Sequence, residues 1–285
     1  MLSADSAFLD NSAGDWRACL DTSLACVRQS WGGSWVGLPV LLEACIHFLG
    51  LGGTASPQTG SLLLAVARQI AAQIEAEGGC GADSAEPGYH NRLHFSDSLT
   101  TITLQAAIES ERLGVDDGDW KAALLLIALA HDFRHPGRVN RMRAEIEQQS
   151  FDALKPYLLQ NAVPVSWMQR IEAVILRSDF LLVAENHRRV AGQEFSWCTD
   201  WATVLLNEAD IMASASPLFG PQLSRALAAE WERIGFAASQ SVATAQGRIA
   251  FLQSIEFSSP SSVVLGAAQQ VRQQLADALA ADLQL

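Results

Sequence analysis

Two short blocks of histidine, aspartate and asparagine constrain this chain more than any other feature. The first block is residues 89–97 and the second is residues 131–140. In the first block, His90 and His94 lie four residues apart, and a helix of about 3.6 residues per turn places such a pair on one face. Imidazole and carboxylate groups are ligands of zinc, iron and manganese. Two helices that carry them face to face predict a metal site.

The segment before the second block predicts that this site is buried. Residues 120–130 are apolar on every face of a helix, which is typical of a helix at the centre of a molecule. This helix leads into His131 and Asp132, and His135 repeats the four-residue step after His131. A buried imidazole and carboxylate without partners are costly. A bound cation satisfies both groups.

The periodicity of the whole chain predicts an all-α fold. No segment alternates apolar and polar residues over the length of a strand, whereas helical periodicity recurs throughout. We expect one domain over residues 1–285, with an N-terminal helical part at 1–80; the alternative is a boundary in the glycine-rich loop at 77–84. The expected helices are 35–50, 60–77, 89–113, 119–133, 141–160, 165–183, 197–214, 217–235, 239–257 and 261–283.

The charge of the chain limits its partners. Its net charge is −12 and it has only two lysines, Lys121 and Lys155. Nucleic acids and anionic membrane surfaces attract clustered lysine and arginine, so we expect neither as a partner. A phosphate-containing small molecule would have to be attracted by metal ions and a few arginines. The pattern predicts no particular oligomeric state.

Cysteine usage and the apolar segments indicate a cytoplasmic protein. The five cysteines form no C-x-x-C pair, which favours free thiols in a reducing compartment. The N-terminus lacks the basic and apolar regions of a signal peptide. The apolar run from Trp35 to Leu51 contains Pro39, Glu43 and His47 and is short for a membrane span of about 20 residues. We expect a buried helix there, with His47 in the core.

The two blocks also carry a resemblance to a known family. Tyr-His-Asn-x-x-His-x-x-Asp from Tyr89, followed by His-Asp-x-x-His-Pro-Gly-x-x-Asn from His131, resembles the catalytic domain of the class I, mammalian-type cyclic nucleotide phosphodiesterases. These belong to the wider His-Asp (HD) phosphohydrolase group. The runs Ile175–Asp179 and Leu205–Asp210 are similar to two further family motifs. The resemblance covers about residues 89–260 and implies a compact all-α domain with a central two-metal site.

The resemblance implies roles for five residues. It implies two divalent ions, zinc, magnesium or manganese with iron as a further candidate, bridged by a carboxylate and a hydroxide. His94, His131, Asp132 and Asp210 would hold the first ion, and Asp132 would bridge to the second. His90 corresponds to the family's general acid, which protonates the departing 3′-oxygen. The alternative for His90 is a histidine that only hydrogen-bonds beside the ligands.

Other residues of the motifs are expected to orient ligands rather than to bind metal directly. His135 would lie near the second ion through water. Glu147 takes the place of a glutamate in a family block that is otherwise missing here, although a surface role for Glu147 is equally compatible with its acidic helix. Pro136 and Gly137 are expected to end the helix. The remaining orienting residues are Asn91, Asp97, Asn140 and Asp179.

The purine-binding residues match the family less well than the metal motifs do. The family holds a purine with a glutamine and an aromatic residue one turn later. The candidates here are Gln246 and Gln253 with Phe251, but Ile249 occupies the position where the family has phenylalanine. Ala213 stands where the family has an asparagine, three residues after the aspartate of the Ala-Asp motif. Purine recognition is therefore predicted on weaker grounds than hydrolysis.

The expected activity is hydrolysis of cyclic AMP, cyclic GMP or both to 5′-nucleoside monophosphates. The first alternative is another HD-type phosphohydrolase, which would act on a nucleotide monoester, a different cyclic nucleotide or a non-nucleotide phosphodiester. The second is a catalytically silent metal-binding or ligand-sensing module. His90 argues against the silent module, because metal binding alone does not need the general acid of the family.

Overall fold

The computed structural model describes residues 8–31, 33–52, 58–78 and 86–282, and this part of the chain is α-helical without a β-strand. The all-α prediction is confirmed. The helices are α1 (Trp16–Trp31), α2 (Leu38–Phe48), α3 (Gln58–Glu77), α4 (Arg92–Leu113), α5 (Gly118–Ala130), α6 (Glu145–Gln160), α7 (Val165–Leu176), α8 (Val183–Val190), α9 (Thr199–Ala215), α10 (Gly220–Arg233), α11 (Ser239–Val242), α12 (Ala245–Ser254), α13 (Pro260–Val264) and α14 (Ala267–Asp282).

Helices α4 and α5 form the centre of the molecule. Every residue of α5 from Trp120 to Ala130 is buried, as its uniformly apolar sequence predicts. α4 packs against α1, α2, α5 and α9, and α5 also packs against α3. One apolar core therefore includes residues from Leu9 to Ala267.

Side-chain caps fix where these two helices begin. The Asn91 Oδ1 accepts hydrogen bonds from the backbone N–H groups of Leu93 and His94, at 2.9 and 3.3 Å. The Asp117 Oδ1 accepts one from the Trp120 N–H at 3.1 Å. Such caps satisfy backbone donors that a helix leaves free at its N-terminus. The start of α4 is thus set three residues before His94.

Two buried glutamates fasten α13 to the core. The Glu208 Oε1 of α9 accepts from the backbone N–H groups of Ser258 and Ser259 at 2.6 and 2.8 Å. The Glu109 Oε1 of α4 accepts from the Ser261 N–H at 2.6 Å, and Gln105 donates to Glu208 Oε2 at 3.1 Å. We call Gln105, Glu109, Glu208, Ser259 and Ser261 the glutamate cluster. Protein donors surround its carboxylates.

Several expected helix boundaries are wrong. The helix expected at 89–113 begins at Arg92, so His90 precedes it, and the helix expected at 119–133 ends at Ala130. The segment 239–257 forms two helices because Thr244 caps a new one, accepting from the Gly247 N–H at 3.0 Å. The segment 261–283 is divided at Gly266, whose φ is 67°, a value that glycine adopts at little cost. Helices α1 and α8 were not predicted.

The structure agrees with the expectation of free cysteines but not with that of a buried His47. The cysteines at 19, 26, 45 and 198 are unpaired, and Cys80 lies outside the described residues. His47 is exposed on α2 rather than buried, because the core face of α2 is formed by residues such as Leu42 and Ile46. Among the described helices, none combines the length and apolar character needed to cross a membrane.

Candidate metal centre

Four residues from three parts of the chain meet at one end of the central helices. His94 lies in the first turn of α4, His131 and Asp132 directly follow α5, and Asp210 lies in α9. One ligand atom from each lies within 4.8 Å of the other three. These are the four ligand residues expected from the sequence. We call them the ligand cluster.

The spacing within the ligand cluster suits a divalent metal ion. The His94 Nε2 lies 3.1 Å from the Asp132 Oδ2 and 3.2 Å from the Asp210 Oδ1. The His131 Nε2 lies 3.3 and 3.6 Å from the same two oxygens. Ligand atoms at about 2.0–2.2 Å from a shared ion would be separated by roughly 3.0–3.6 Å. The four side chains are already arranged at such separations.

The hydrogen bonding of His131 supports the same assignment. Its Nδ1 lies 3.0 Å from the Ala128 carbonyl oxygen, which places the proton on Nδ1 and leaves the Nε2 lone pair free. The Nε2 is buried, and no described residue makes a hydrogen bond to it, although the Asp132 Oδ2 lies 3.3 Å away. Buried polar atoms without partners are rare and call for an explanation. A metal ligand whose other ring nitrogen bonds a carbonyl is a common arrangement, so the residues present fit a bound ion.

Opposite charges dominate the electrostatics of the ligand cluster. Burial opposes the charge on His94, yet the carboxylates of Asp132 and Asp210 outweigh it and raise the pKa of His94 to about 9. They also raise the pKa of His131 despite its burial. The histidines in turn hold the pKa values of Asp132 and Asp210 below their usual range against the effect of burial. In the absence of metal, protonated His94 and His131 balance the charge of the two ionised carboxylates.

A second group of titratable residues adjoins the ligand cluster. The His90 Nδ1 lies 2.6 Å from the Glu230 Oε1, and the backbone N–H groups of Tyr89 and His90 donate to Glu230 Oε2 at 2.7 and 3.1 Å. The His90 Nε2 points back toward Asp132, 4.0 Å from its Oδ2. His90, His135 and Glu230 also satisfy the spacing of a metal-binding group.

Glu230 is a site residue that the sequence did not suggest. Burial raises the pKa of a carboxyl group, but the hydrogen bond and charge of His90 reverse this effect and lower the pKa of Glu230 to about 2. Glu230 is thus an anion that fixes the orientation of His90. It lies on α10, far along the chain from residues 89–97, and although it is buried, nothing in its local sequence distinguishes it from a surface glutamate of an amphipathic helix.

His135 lies against His90 rather than on a helix with His131. The two rings of His90 and His135 stack with centroids 3.7 Å apart. The chain turns at Arg134, whose φ is 61°, so the predicted helical step from His131 to His135 is wrong. Burial and the neighbouring His90 lower the pKa of His135 to about 3. Its ring is neutral at physiological pH.

The residues expected to orient the ligands have varied partners. Asn91 caps α4 and so fixes the backbone of His94. Both carboxylate oxygens of Asp97 pair with Arg28 of α1 at 2.7 Å. Asn140 donates to Glu147 at 2.8 Å and accepts from the Ile146 N–H.

Asp179 and Glu147 lie at the start of α6, where Asp179 accepts from the backbone N–H groups of Ala144 and Leu181 at 2.7 and 3.0 Å. Burial raises the pKa of Glu147, and the charge of Asp132 contributes to this rise. Asn140, Glu147 and Asp179 therefore hold the backbone around residues 140–147 through hydrogen bonds. Their role in orienting ligands stays a prediction.

The predicted purine-binding residues lie on α12. Gln246 and Gln253 are exposed on α12, and Phe251 packs under the guanidinium of Arg248, 5.6 Å from its ring centroid. None of the three predicted residues lines the cavity of about 220 Å³ that opens beside Asp132 and His90. Their role in substrate binding stays a prediction.

The chain was compared with known proteins. No protein-family model matches it, and no curated protein matches it either.

Proposed function

We propose that this protein is a metal-dependent phosphohydrolase that opens 3′,5′-cyclic nucleotides, cyclic AMP or cyclic GMP, to 5′-monophosphates. The observation that carries the proposal is that a group of possible metal ligands lies beside a possible general acid. A buried group of metal ligands, with an unpartnered His131 nitrogen, lies next to a histidine held by a carboxylate, His90 with Glu230. A metal-storage or structural site needs only the first of these.

His94, His131, Asp132 and Asp210 would hold the first divalent ion, and Asp132 would be shared with a second. Zinc, magnesium, manganese and iron all accept this mixed set of nitrogen and oxygen ligands. Divalent ions bound in this way activate water at neutral pH and offset the charge on phosphoryl oxygens. The two carboxylates would supply the negative charge that offsets such an ion in a buried position, and the two neutral imidazoles would supply lone pairs.

His90 has the features of a general acid. Glu230 accepts the Nδ1–H of His90, which leaves the Nε2 atom directed toward the ligand cluster. A proton on this Nε2 can pass to the departing 3′-oxygen as the phosphorus–oxygen bond breaks. Glu230 stabilises the protonated ring before transfer and fixes its orientation. The stacked ring of His135 is neutral and so limits repulsion beside it.

The identity of the organic part of the substrate rests on the resemblance of residues 89–97 and 131–140 to cyclic nucleotide phosphodiesterases. One observation favours the alternative of a non-nucleotide phosphodiester or a nucleotide monoester. Gln246 and Gln253 are exposed, and an exposed amide contributes little to reading a base edge. The silent metal-binding module is disfavoured because it has no use for the His90–Glu230 pair.

Turnover by metal-stripped protein tests the proposal. Mn²⁺, Mg²⁺ or Zn²⁺ would be added back with cyclic AMP, cyclic GMP, bis(p-nitrophenyl) phosphate or p-nitrophenyl phosphate as substrate. We expect metal-dependent release of 5′-monophosphate from a cyclic nucleotide. Hydrolysis of only the nitrophenyl esters would favour the non-nucleotide alternative. Metal binding without any turnover would refute the hydrolase and favour the silent module.

A further inference from the structure

One arginine side chain, that of Arg134, lines the cavity beside the ligand cluster and has no role in the proposed function so far. The cavity lies between the end of α3 and the turn after α5, and Asp132, His90 and His135 form one of its walls. Its other charged lining residues are Glu77, Glu86 and Arg134. Among the described lining residues, Arg134 is the one with a permanent positive charge. In a protein of net charge −12, a single guanidinium at this place matters for an anionic ligand.

The backbone at Arg134 is unusual. Its φ is 61°, in a region where residues with a side chain pay a steric cost and glycine does not. Of the described non-glycine residues with positive φ, Arg134 alone lines the cavity. It lies between Asp132 and His135, so the turn directs its side chain into the space that these two residues border. Strained backbone of this kind concentrates at functional sites.

The partner of Arg134 is easily exchanged. Its Nη2 and Nε lie 2.6 and 3.1 Å from the Glu77 Oε1, and the two side chains are 50% and 39% exposed. An ion pair so exposed contributes little net stability. Glu77 also accepts from the Gln73 Nε2 at 2.7 Å, so its carboxylate keeps a donor when Arg134 leaves. The face of Phe133, 5.0 Å from the guanidinium carbon, supports Arg134 independently of Glu77.

We propose that Arg134 binds a phosphoryl oxygen of the substrate from the cavity side, and that Glu77 competes with the substrate for this guanidinium. The planar guanidinium presents paired donors that match a phosphate. The inference rests on the proposed function, because it takes the ligand to be a phosphate ester at the ligand cluster. Arg134 is a substrate-binding residue, and Glu77 sets how much of its charge is available.

Equilibrium binding of inorganic phosphate and of 5′-AMP to the Mn²⁺-loaded protein tests this inference by calorimetry. Loss of a charge-assisted contact in Arg134→Gln should raise Kd roughly ten-fold. Glu77→Gln should lower Kd by about three-fold, because it frees the guanidinium. The opposite signs are the decisive feature, since damage to the fold would weaken binding in both variants.

Two further sets of variants guard against a structural explanation. Arg134→Gly accepts the positive φ without strain and removes only the side chain, so it should weaken binding as much as Arg134→Gln. The Arg68–Glu43 pair is the matched control. It has the same 2.6 Å separation and comparable exposure, 46% and 53%, but does not line the cavity. Arg68→Gln and Glu43→Gln should leave Kd unchanged.

The inference is overturned if Kd is unchanged in Arg134→Gln and Arg134→Gly, or if Glu77→Gln weakens binding. Loss of bound Mn²⁺ in both Arg134 variants would also overturn it, because Arg134 would then act through the turn that carries Asp132. None of these measurements needs turnover. A protein that binds phosphate in the expected pattern but hydrolyses no substrate would therefore refute the proposed function while leaving the role of Arg134 intact.

Discussion

The ligand cluster and the glutamate cluster share the helices α4 and α9, yet their carboxylates have different kinds of partner. α4 carries both His94 and Glu109, and α9 carries both Asp210 and Glu208. The glutamates accept hydrogen bonds from backbone N–H groups and serines. Among the described residues, histidines are the polar side-chain partners of the two aspartates in the ligand cluster. Each cluster contains one atom without a hydrogen bond, His131 Nε2 and Gln105 Oε1, so the contrast lies in the carboxylates.

This difference separates a structural polar cluster from a binding site. Buried polar groups are usually complete when their role is to hold a fold. A cluster that the protein leaves incomplete must be completed by something else, in this case a proton or a cation. Burial alone does not distinguish the two clusters, whereas the list of donors around each carboxylate does. The comparison can be tested by removing one carboxylate at a time.

The largest expected effect is that of Asp132→Asn. A neutral amide cannot supply the charge that holds a divalent ion, so we expect turnover to fall by more than about 10³-fold and metal content to fall by at least one equivalent. The metal-free variant should be less stable than the metal-free parent, because it loses the charge interactions of Asp132 with His94 and His131. Kinetics, metal analysis and thermal unfolding measure the three quantities.

Asp152→Asn is the control, because Asp152 is exposed on α6. Full metal occupancy with near-normal rates in Asp132→Asn would remove Asp132 from the site and erase the contrast between the two clusters.

The next effect is that of His90→Ala. The variant should retain metal but lose about 10²–10⁴-fold in rate, the usual contribution of a general acid. The loss should shrink with bis(p-nitrophenyl) phosphate, whose leaving group hardly needs a proton. His47→Ala, which alters an exposed histidine, should change neither rate. An equal loss on both substrates would indicate that His90 positions metal instead.

Glu208→Ala should produce the reverse phenotype. It removes the acceptor of two backbone N–H groups and one serine hydroxyl, and we expect a loss of about 3 kcal/mol in the free energy of unfolding. Metal stoichiometry should be retained. Urea unfolding with metal analysis tests this, with Glu256→Ala as an exposed control two residues before Ser258. Loss of metal at unchanged stability would show that the two clusters are not separate.

The smallest effect is the pH dependence of metal affinity. The metal-free protein holds a proton on His94, whose pKa is raised to about 9, and metal binding must displace it. Affinity should therefore rise with pH up to about pH 9, by about ten-fold per unit for each proton released. Mn²⁺ titrations at several pH values measure this slope. An affinity independent of pH below 9 would mean that His94 is not a ligand.

The grouping of the four ligand-cluster residues could be predicted because each lies in a short sequence motif. His94 belongs to a short motif, and His131 and Asp132 follow an apolar helix that could only be buried. Glu230 and Arg134 could not be predicted in this way. The role of Glu230 depends on α10 packing beside Tyr89, which is a contact between distant parts of the chain. The role of Arg134 depends on a reversal of backbone direction that the helical spacing of His131 and His135 concealed.

Helix boundaries show the same division between local and distant causes. The apolar pattern predicted α5 and most of its length, because every face of α5 meets another helix. The break at Thr244 depends on a single capping hydrogen bond, which periodicity alone does not reveal. The exposed position of His47 depends on which face of α2 turns toward α3 and α4, and that choice is made by tertiary packing.

The distribution of the ligands along the chain has a consequence for assembly. His94 and His131 belong to consecutive segments of the chain, whereas Asp210 lies far along the sequence on α9. The ligand cluster therefore exists only after α9 has docked against α4. Long-range contacts of this kind form late in folding. An ion that needs all four ligands cannot bind well to earlier states, so it stabilises only the finished structure. The stability of newly synthesised protein would then depend on the supply of metal in the cell.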